Sequence, residues 1–370
     1  MSSLLSRERT IISFQAWKIQ LSSSGAMPDR PETKIKCKEA RMNNMKVVLV
    51  GLGNFGSGWY KRLRRHAGVQ GVCVVEANVQ LRETIDLETP FYSSLEDAII
   101  SECPDFVINV TPPHIHTAIN EIAFAHGLPV LCEKPISNDI TDAQYIVGQA
   151  KLKNIPFMIS ENYRFFAPVL KAKELLDIGV IGKLSSVHIE FDRYHVVPVP
   201  YFGRLTNGLL EDVTIHHFDM IRYFTGQEAV KVFAMNSNPP GSWTDTTTIH
   251  LSAWMELDGG TVVDYHGSMM TKGKQTEWYG DWRFEGEEGA IAITSNRVQL
   301  MKEGMDEEVH TFDGVGNMLP LDEFIAALKE KREPRPSGRD YLKSQSLVHA
   351  AAVSSRKGKM LSVEEALREV

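Results

Sequence analysis

The chain has 370 residues, 43% hydrophobic and 24% charged, the balance of a soluble folded protein and more chain than one ordinary core accommodates. A formal net charge of −7 argues against nonspecific binding to nucleic acid or anionic membranes, and no apolar run reaches the roughly 18 residues of a membrane span. Cys37, Cys73, Cys103 and Cys132 form no CxxC pair and read as reduced thiols of a cytoplasmic protein, Cys73 and Cys132 lying in strand-like runs.

Residues 1–44 are polar, rich in Ser, Lys and Arg, and lack a sustained period. They read as a disordered extension or an over-long start, with an organelle-targeting role the alternative, against which Glu8, Asp29 and Glu32 count. From Met45 strands and helices alternate: "KVVLVG", a helix through "WYKRLRRHAG", "GVCVVE", "SLEDAII", "DFVINV", "HIHTAINEIAFAHG", "PVLCE", "DITDAQYIVGQAKLKN" with Thr141 a plausible cap, and "PFMIS". That alternation predicts a Rossmann-type doubly wound parallel sheet over 45–163. From 164 to 370 the runs turn β-like and half-apolar, from "KLSSVHIEFDRYH" to "AIAITS", interrupted by the helical "DVTIHHFDMIRYFTG" and followed by two helical segments. This predicts an α+β domain on an open, mainly antiparallel sheet, its C-terminal helices being candidates to pack back on the first domain.

Gly51-Leu52-Gly53-Asn54-Phe55-Gly56 is a GxGxxG loop between an apolar strand and a helix. The first glycine permits a tight turn, the second a close approach of the backbone to a pyrophosphate, and the third helix–strand packing, with the helix N-terminus facing the phosphate charge. Glu76 ends the next strand 20 residues after Gly56, where an acid accepts from ribose hydroxyls. That carboxylate would repel a 2′-phosphate, and Ala77, Asn78 and Val79 offer no cation, which favours NAD over NADP. Lys61, Arg62, Arg64 and Arg65 lie further along the helix and read as a solvated face.

Two later strand ends carry unusual residues: Thr111-Pro112-Pro113-His114-Ile115-His116 and Glu133-Lys134-Pro135. In a doubly wound sheet both face the ligand crevice. The series GxGxxG, TPPHIH, EKP, ENYRF and Asp212-Val213-Thr214-Ile215-His216 resembles the glucose-fructose oxidoreductase / inositol dehydrogenase (Gfo/Idh/MocA) family from about Met45 to the C-terminus. The resemblance implies that Lys134 faces cofactor and substrate, with Lys134–Pro135 a candidate cis bond, and that Glu133 orients Lys134 or binds cofactor. It places Thr111, Pro112, His116, Asn162 and Arg164 near the cofactor. It makes His216 the general acid/base and Asp212 the orienting and substrate-binding group, four residues apart on one helix face. Thr214 stands where the family commonly has glycine, which puts the backbone fit there in question, while Asp219 is kept. His217 points away from His216 and reads as packing or helix surface. Tyr194, His195, Tyr201 and Arg204 are candidates to contact a polyol, a structural loop being the other reading. No metal is implied. The expected activity is hydride transfer between a nicotinamide and a sugar, inositol or related polyol hydroxyl, in a homo-dimer or homo-tetramer formed through the open sheet. Two alternatives keep the fold: a redox-assisted glycosidase holding NAD tightly, and a non-enzymatic NAD-bound regulator.

Overall fold

The computed structural model describes residues 45–197, 202–313 and 319–369; the readings of 1–44 and of Tyr201 fall outside these residues. The chain divides into two compact units, one of residues up to Ser160 with Glu323–Gly338, the other of Glu161–Asp322 with Arg339–Val370. The break falls three residues before the boundary read from the sequence.

In the first unit six strands form one sheet: β1 (Met45–Val50), β2 (Val69–Val75), β3 (Phe91–Tyr92), β4 (Phe106–Asn109), β5 (Val130–Cys132) and β6 (Phe157–Ile159). Their order is β3-β2-β1-β4-β5-β6, and every pairing is parallel. Parallel sheets are covered on both faces, so their strands carry continuous apolar runs. Val47, Val48, Leu49 and Val50 are accordingly all fully buried. The crossovers carry helices α1 (Asn54–Leu63), α2 (Leu95–Glu102), α3 (His116–Ala125) and α4 (Ile140–Leu152). Helix α4 is capped by Asp139 rather than Thr141: the Asp139 backbone is extended, and its carboxylate accepts from the amides of Thr141 and Asp142. Cys73 and Cys132 are free and buried, whereas Cys103 is disulfide-bonded, which departs from the expectation of reduced thiols throughout.

The segment 323–338 completes this unit. Phe324 is fully buried and meets Phe106 edge to face, with ring centroids 5.4 Å apart. The amide of Ile159 donates to the carbonyl of Pro336 at 3.2 Å.

The second unit is built on nine strands: β7 (Leu184–Asp192), β8 (Ala229–Ser237), β9 (His250–Leu257), β10 (Val262–Ser268), β11 (Asp281–Gly286), β12 (Gly289–Thr294), β13 (Arg297–Met301), β14 (Glu308–Thr311) and β15 (Leu361–Ser362). The order is β14-β13-β12-β11-β7-β10-β9-β8-β15, with β7–β10 the one parallel pair among them. Along β7, Val187, Ile189 and Phe191 are buried while His188 and Glu190 are exposed, the alternation of a sheet with one covered face. Helix α5 (Ala167–Asp177) packs on β12 and β13. Helix α6 (Ile215–Thr225) is buried over most of its length and follows a π-helical turn, Leu209–Thr214. The unit's C-terminal helices are α8 (Gly338–Lys357) and α9 (Val363–Leu367), whereas α7 (Pro320–Glu330) lies mostly in the segment that completes the first unit.

The Phe106–Phe324 contact generates a test. Phe324→Ala leaves a cavity beside β4 and should cost about 3–5 kcal/mol, read as a lowered unfolding midpoint in urea. A midpoint unchanged from wild type would show that 323–338 adds nothing to the stability of the first unit.

Candidate active site

The parallel sheet brings the carboxyl ends of β1, β2, β4 and β5 to one edge of the first unit. Gly51 follows β1 with φ +96°, and a Cβ there would meet the carbonyl oxygen of Val110 at 2.8 Å. A Cβ on Gly56 would meet the carbonyl oxygen of Gly51 at 2.2 Å, so the turn and the helix packing both require glycine. Gly53 differs: a Cβ there has nothing within 4 Å. Space is left in front of Gly53, and the N-terminus of α1 has no side-chain cap. An open backbone at an uncapped helix start fits a pyrophosphate. Asn54 and Phe55 are exposed on the same turn, Phe55 being 78% accessible. The buried Glu76 carboxylate accepts from the amides of Leu52 at 2.7 Å and Asn78 at 2.9 Å. A carboxylate has about four acceptor positions, so capacity remains for ribose hydroxyls.

The loop after β4 is tied to the loop after β5 by a histidine. The His116 ring is fully buried, with Nδ1 2.8 Å from the Pro135 carbonyl and Nε2 2.8 Å from the Thr111 carbonyl. Serving both acceptors at once takes the imidazolium, which burial opposes, pushing the pKa down to about 4. The neutral ring that burial favours donates to one of these carbonyls and packs against the other, so His116 lies between the Thr111 and Pro135 backbones. Thr111 donates its hydroxyl to Asn109 Oδ1 at 2.6 Å, and Pro112 is exposed. The Lys134–Pro135 bond is cis. Glu133 is half-buried and accepts from the Trp59 indole at 2.7 Å and from the Lys134 amide at 3.4 Å, so it anchors the backbone that carries Lys134.

In the second unit His216 is buried at the start of α6, its Nδ1 2.7 Å from both carboxylate oxygens of Glu161. The orienting carboxylate on Nδ1 is thus Glu161, not Asp212, because the turn at 161–165 brings that carboxylate to the ring. Tyr163 stacks on the imidazole with centroids 4.1 Å apart, and Tyr341 donates its hydroxyl to Glu161 Oε2 at 3.2 Å. Asp212 lies in the π-helical turn one turn before His216, half-buried. Such single π turns recur at functional sites. Thr214 fits without strain: its φ of −64° is ordinary helix, and its hydroxyl meets that of Tyr265 at 2.8 Å. Tyr265 reaches His217 Nδ1 at 3.0 Å, and His217 Nε2 donates to the Trp278 carbonyl at 2.9 Å. His217 is therefore a packing residue, with no part on the helix surface.

Arg164, expected at the cofactor, is buried with its guanidinium given to both oxygens of Asp219 at 2.6 and 2.7 Å and to Asp340 at 2.9 Å. A buried cation needs such partners, and this pairing makes Arg164 a structural residue of the second unit. Asn162 beside it is exposed. Tyr194, His195 and Arg204 are exposed, His195 meeting the Trp278 ring edge-on.

Residues 45–160 match the family model described as "Oxidoreductase family, NAD-binding Rossmann fold", and residues 169–292 match the "GFO/IDH/MocA C-terminal domain". The chain belongs to the Gfo/Idh/MocA oxidoreductase family. An inositol 2-dehydrogenase of Rhizobium meliloti (strain 1021) is 26% identical over 336 residues, 85% of this chain and 98% of that protein. A D-apiose dehydrogenase of Paraburkholderia graminis is 25% identical, covering 89% and 92%. A crystal structure of an oxidoreductase from Agrobacterium radiobacter in complex with NAD+, L-tartaric acid and magnesium shares the fold, with a TM-score of 0.79 and 21% identity over 87% of this chain and 99% of that one. This Gfo/Idh/MocA protein is an oxidoreductase, and residues 45–160 of its first unit carry the family's NAD-binding Rossmann fold.

Sequence reasoning missed Glu161, Tyr341 and Trp59. Glu161 and Trp59 sit inside segments already singled out; Tyr341 is separated from His216 by more than a hundred residues, and no local pattern points to it.

The buried, hydrogen-bonded His217 sets a pH dependence of stability. Burial pushes its pKa from 6.5 down to about 4. Between these values the unfolded chain binds the proton and the native state does not, so stability is fully present above about 6.5 and falls on acidification toward 4. One such group contributes roughly 3 kcal/mol across the window. His217→Gln should reduce the slope of unfolding free energy against pH between 4 and 6.5, measured by urea titration. An unaltered slope would mean that the native state accepts this proton.

Proposed function

We propose that this Gfo/Idh/MocA dehydrogenase transfers hydride between NAD and a hydroxyl carbon of a sugar, inositol or related polyol. The observation that carries the reading is His216: a buried imidazole fixed by a carboxylate through Nδ1, which leaves Nε2 as the atom for proton exchange. When bound, the nicotinamide supplies the hydride acceptor. His216 takes the proton of the substrate hydroxyl as the carbon is oxidised and returns it in the reverse direction. Lys134 hydrogen-bonds the reacting oxygen and stabilises the charge that develops on it. Asp212 binds a neighbouring substrate hydroxyl. Gly51, Gly53, Asn54, Phe55 and Gly56 hold the pyrophosphate, Glu76 the adenosine ribose, and Thr111, Pro112 and Asn162 border the nicotinamide half. The family resemblance supports the roles of Lys134, Asp212 and Asn162, and the open backbone at Gly53 supports the pyrophosphate site.

The preference is for NAD over NADP, since the Glu76 carboxylate repels a 2′-phosphate and no cation follows it at 77–79. The working assembly is a homo-dimer or homo-tetramer through the exposed face of the nine-stranded sheet, where Phe233, Trp254 and Met235 lie among charged residues. The place of action is the cytoplasm; among the described residues no helix is long and apolar enough to cross a membrane.

Purified protein, mixed with NAD or NADP and a panel of inositols, aldoses and sugar acids, should reduce NAD on at least one substrate, read as absorbance. His216→Ala and Lys134→Ala should each lower kcat about 100- to 10,000-fold while the Kd for NAD, titrated by fluorescence, stays near wild type. Full turnover in His216→Ala removes the acid/base assignment. Tight NAD binding with no turnover on any substrate favours the regulator, and sugar cleavage without net NAD reduction favours the glycosidase. Glu76→Ser should lower the ratio of kcat/KM for NAD to that for NADP by about tenfold, or 1.4 kcal/mol. A constant ratio would show that this acid does not select the cofactor.

A further inference from the structure

We infer that Glu161 is the positioning residue of the acid/base, fixing His216 as the Nδ1–H tautomer and keeping its Nε2 as the one nitrogen open to substrate. The inference rests on the reading of His216 given above and extends it to a residue that no motif of the site assigns.

The argument starts from the buried carboxylate. Glu161 is fully buried, between β6 and the 3-10 turn Asn162–Phe165. A carboxylate without water must have its lone pairs taken by donors. Three are present: the Tyr163 amide at 3.0 Å on Oε1, the Tyr341 hydroxyl at 3.2 Å on Oε2, and His216 Nδ1 at 2.7 Å from both oxygens. Burial opposes the charge of Glu161, yet the imidazole, these hydrogen bonds and the nearby Arg164 hold the carboxyl below its usual range, so it is ionised at neutral pH. An ionised carboxylate only accepts. A nitrogen 2.7 Å from both of its oxygens must therefore carry a hydrogen, and in the neutral ring Nε2 is then the lone pair.

Two further contacts keep this geometry from relaxing. Tyr163 lies parallel to the imidazole, 13° between planes, and so closes one ring face against rotation. Tyr341 is fully buried with its phenol far above the ordinary range, so it stays a donor at any working pH. When His216 takes a proton on Nε2, the positive charge arises beside an ionised carboxylate already desolvated and oriented. No reorganisation is then needed at the moment of transfer. The proton balance is simple: the substrate hydroxyl loses its proton to Nε2, the Nδ1 hydrogen stays on Nδ1, and Glu161 exchanges no proton.

The test is nitrogen NMR on the full chain labelled at histidine, with His216→Ala to assign the resonance, combined with steady-state kinetics on Glu161→Gln. In wild type, followed through a pH titration, the neutral His216 ring should show a protonated Nδ1 and an unprotonated Nε2. In Glu161→Gln the amide is free to donate to Nδ1, so the Nε2–H form should appear. kcat should fall about 100- to 10,000-fold, with KM for the polyol and Kd for NAD within about threefold of wild type. Glu161→Asp, which keeps the charge, should recover part of kcat. An Nε2–H tautomer in wild type, or a wild-type kcat in Glu161→Gln, overturns the inference. If Glu161→Gln fails to fold, Tyr341→Phe takes its place: it removes one donor, should lower kcat several-fold and should leave the Nδ1–H signature unchanged. Loss of that signature in Tyr341→Phe would contradict the assignment of the proton to the Glu161 contact. Because the tautomer is read without turnover, a His216 with the expected tautomer but no role in catalysis sinks the acid/base reading and leaves the Glu161 contact standing.

Discussion

Parallel strand pairing is the constraint on which the first unit depends. A parallel ladder sets every strand running the same way, so each carboxyl end, and the loop after it, arrives at one edge of the sheet. The glycine loop, Glu76, the Thr111 turn and the Lys134 turn are spread from residue 51 to 134. They become neighbours only because β1, β2, β4 and β5 are adjacent and parallel. Secondary contacts then hold the edge in shape. Glu76 fixes the glycine loop through the Leu52 amide, His116 links the turns after β4 and β5, and Glu133 ties the Lys134 backbone to the Trp59 indole on α1. Each uses a polar side chain whose bonds would be lost to water on an exposed loop.

The second unit is organised by buried charge. Two carboxylates, Glu161 and Asp219, are both fully buried, and their partners differ. Asp219 is neutralised by Arg164, a permanent cation with fork geometry, and that pairing extends through Asp340 to Arg222. Such a network is fixed at every physiological pH and serves structure. Glu161 is instead matched to the imidazole of His216. The same sequence stretch, "ENYRF", supplies one member to each arrangement: Glu161 to the histidine, Arg164 to the aspartates. The two arrangements stay separate although Glu161 and Arg164 are three residues apart.

Much of the architecture was legible in the sequence because it is written in local periods. Apolar runs at 47–50 and 106–108 are what a doubly covered strand requires, and they lie in β1 and β4. Alternation along 184–192 announced a half-covered strand. The glycines at 51 and 56 were legible for the same reason: a tight turn and a close helix contact admit no Cβ, so the residue type reports the backbone. Glu76 was legible by its place at the end of the second strand, 20 residues after Gly56.

What the sequence by itself determined was therefore the order of elements, the two sheet types and the residues at the strand ends. Which polar group meets which was decided by tertiary structure. The partner of His216 is not Asp212, one turn away, but Glu161, 55 residues earlier, with Tyr341 arriving from a helix near the C-terminus. Arg164 stood in a recognisable motif, yet its role turned on two carboxylates from α6 and α8 that no spacing rule connects to it. The physical reason is that backbone preference acts over a few residues and leaves a record in the local pattern. Hydrogen bonds between buried side chains instead depend on where distant segments finish. Their partners are chosen by the need to satisfy every desolvated polar atom, a condition that exists only once the chain has folded.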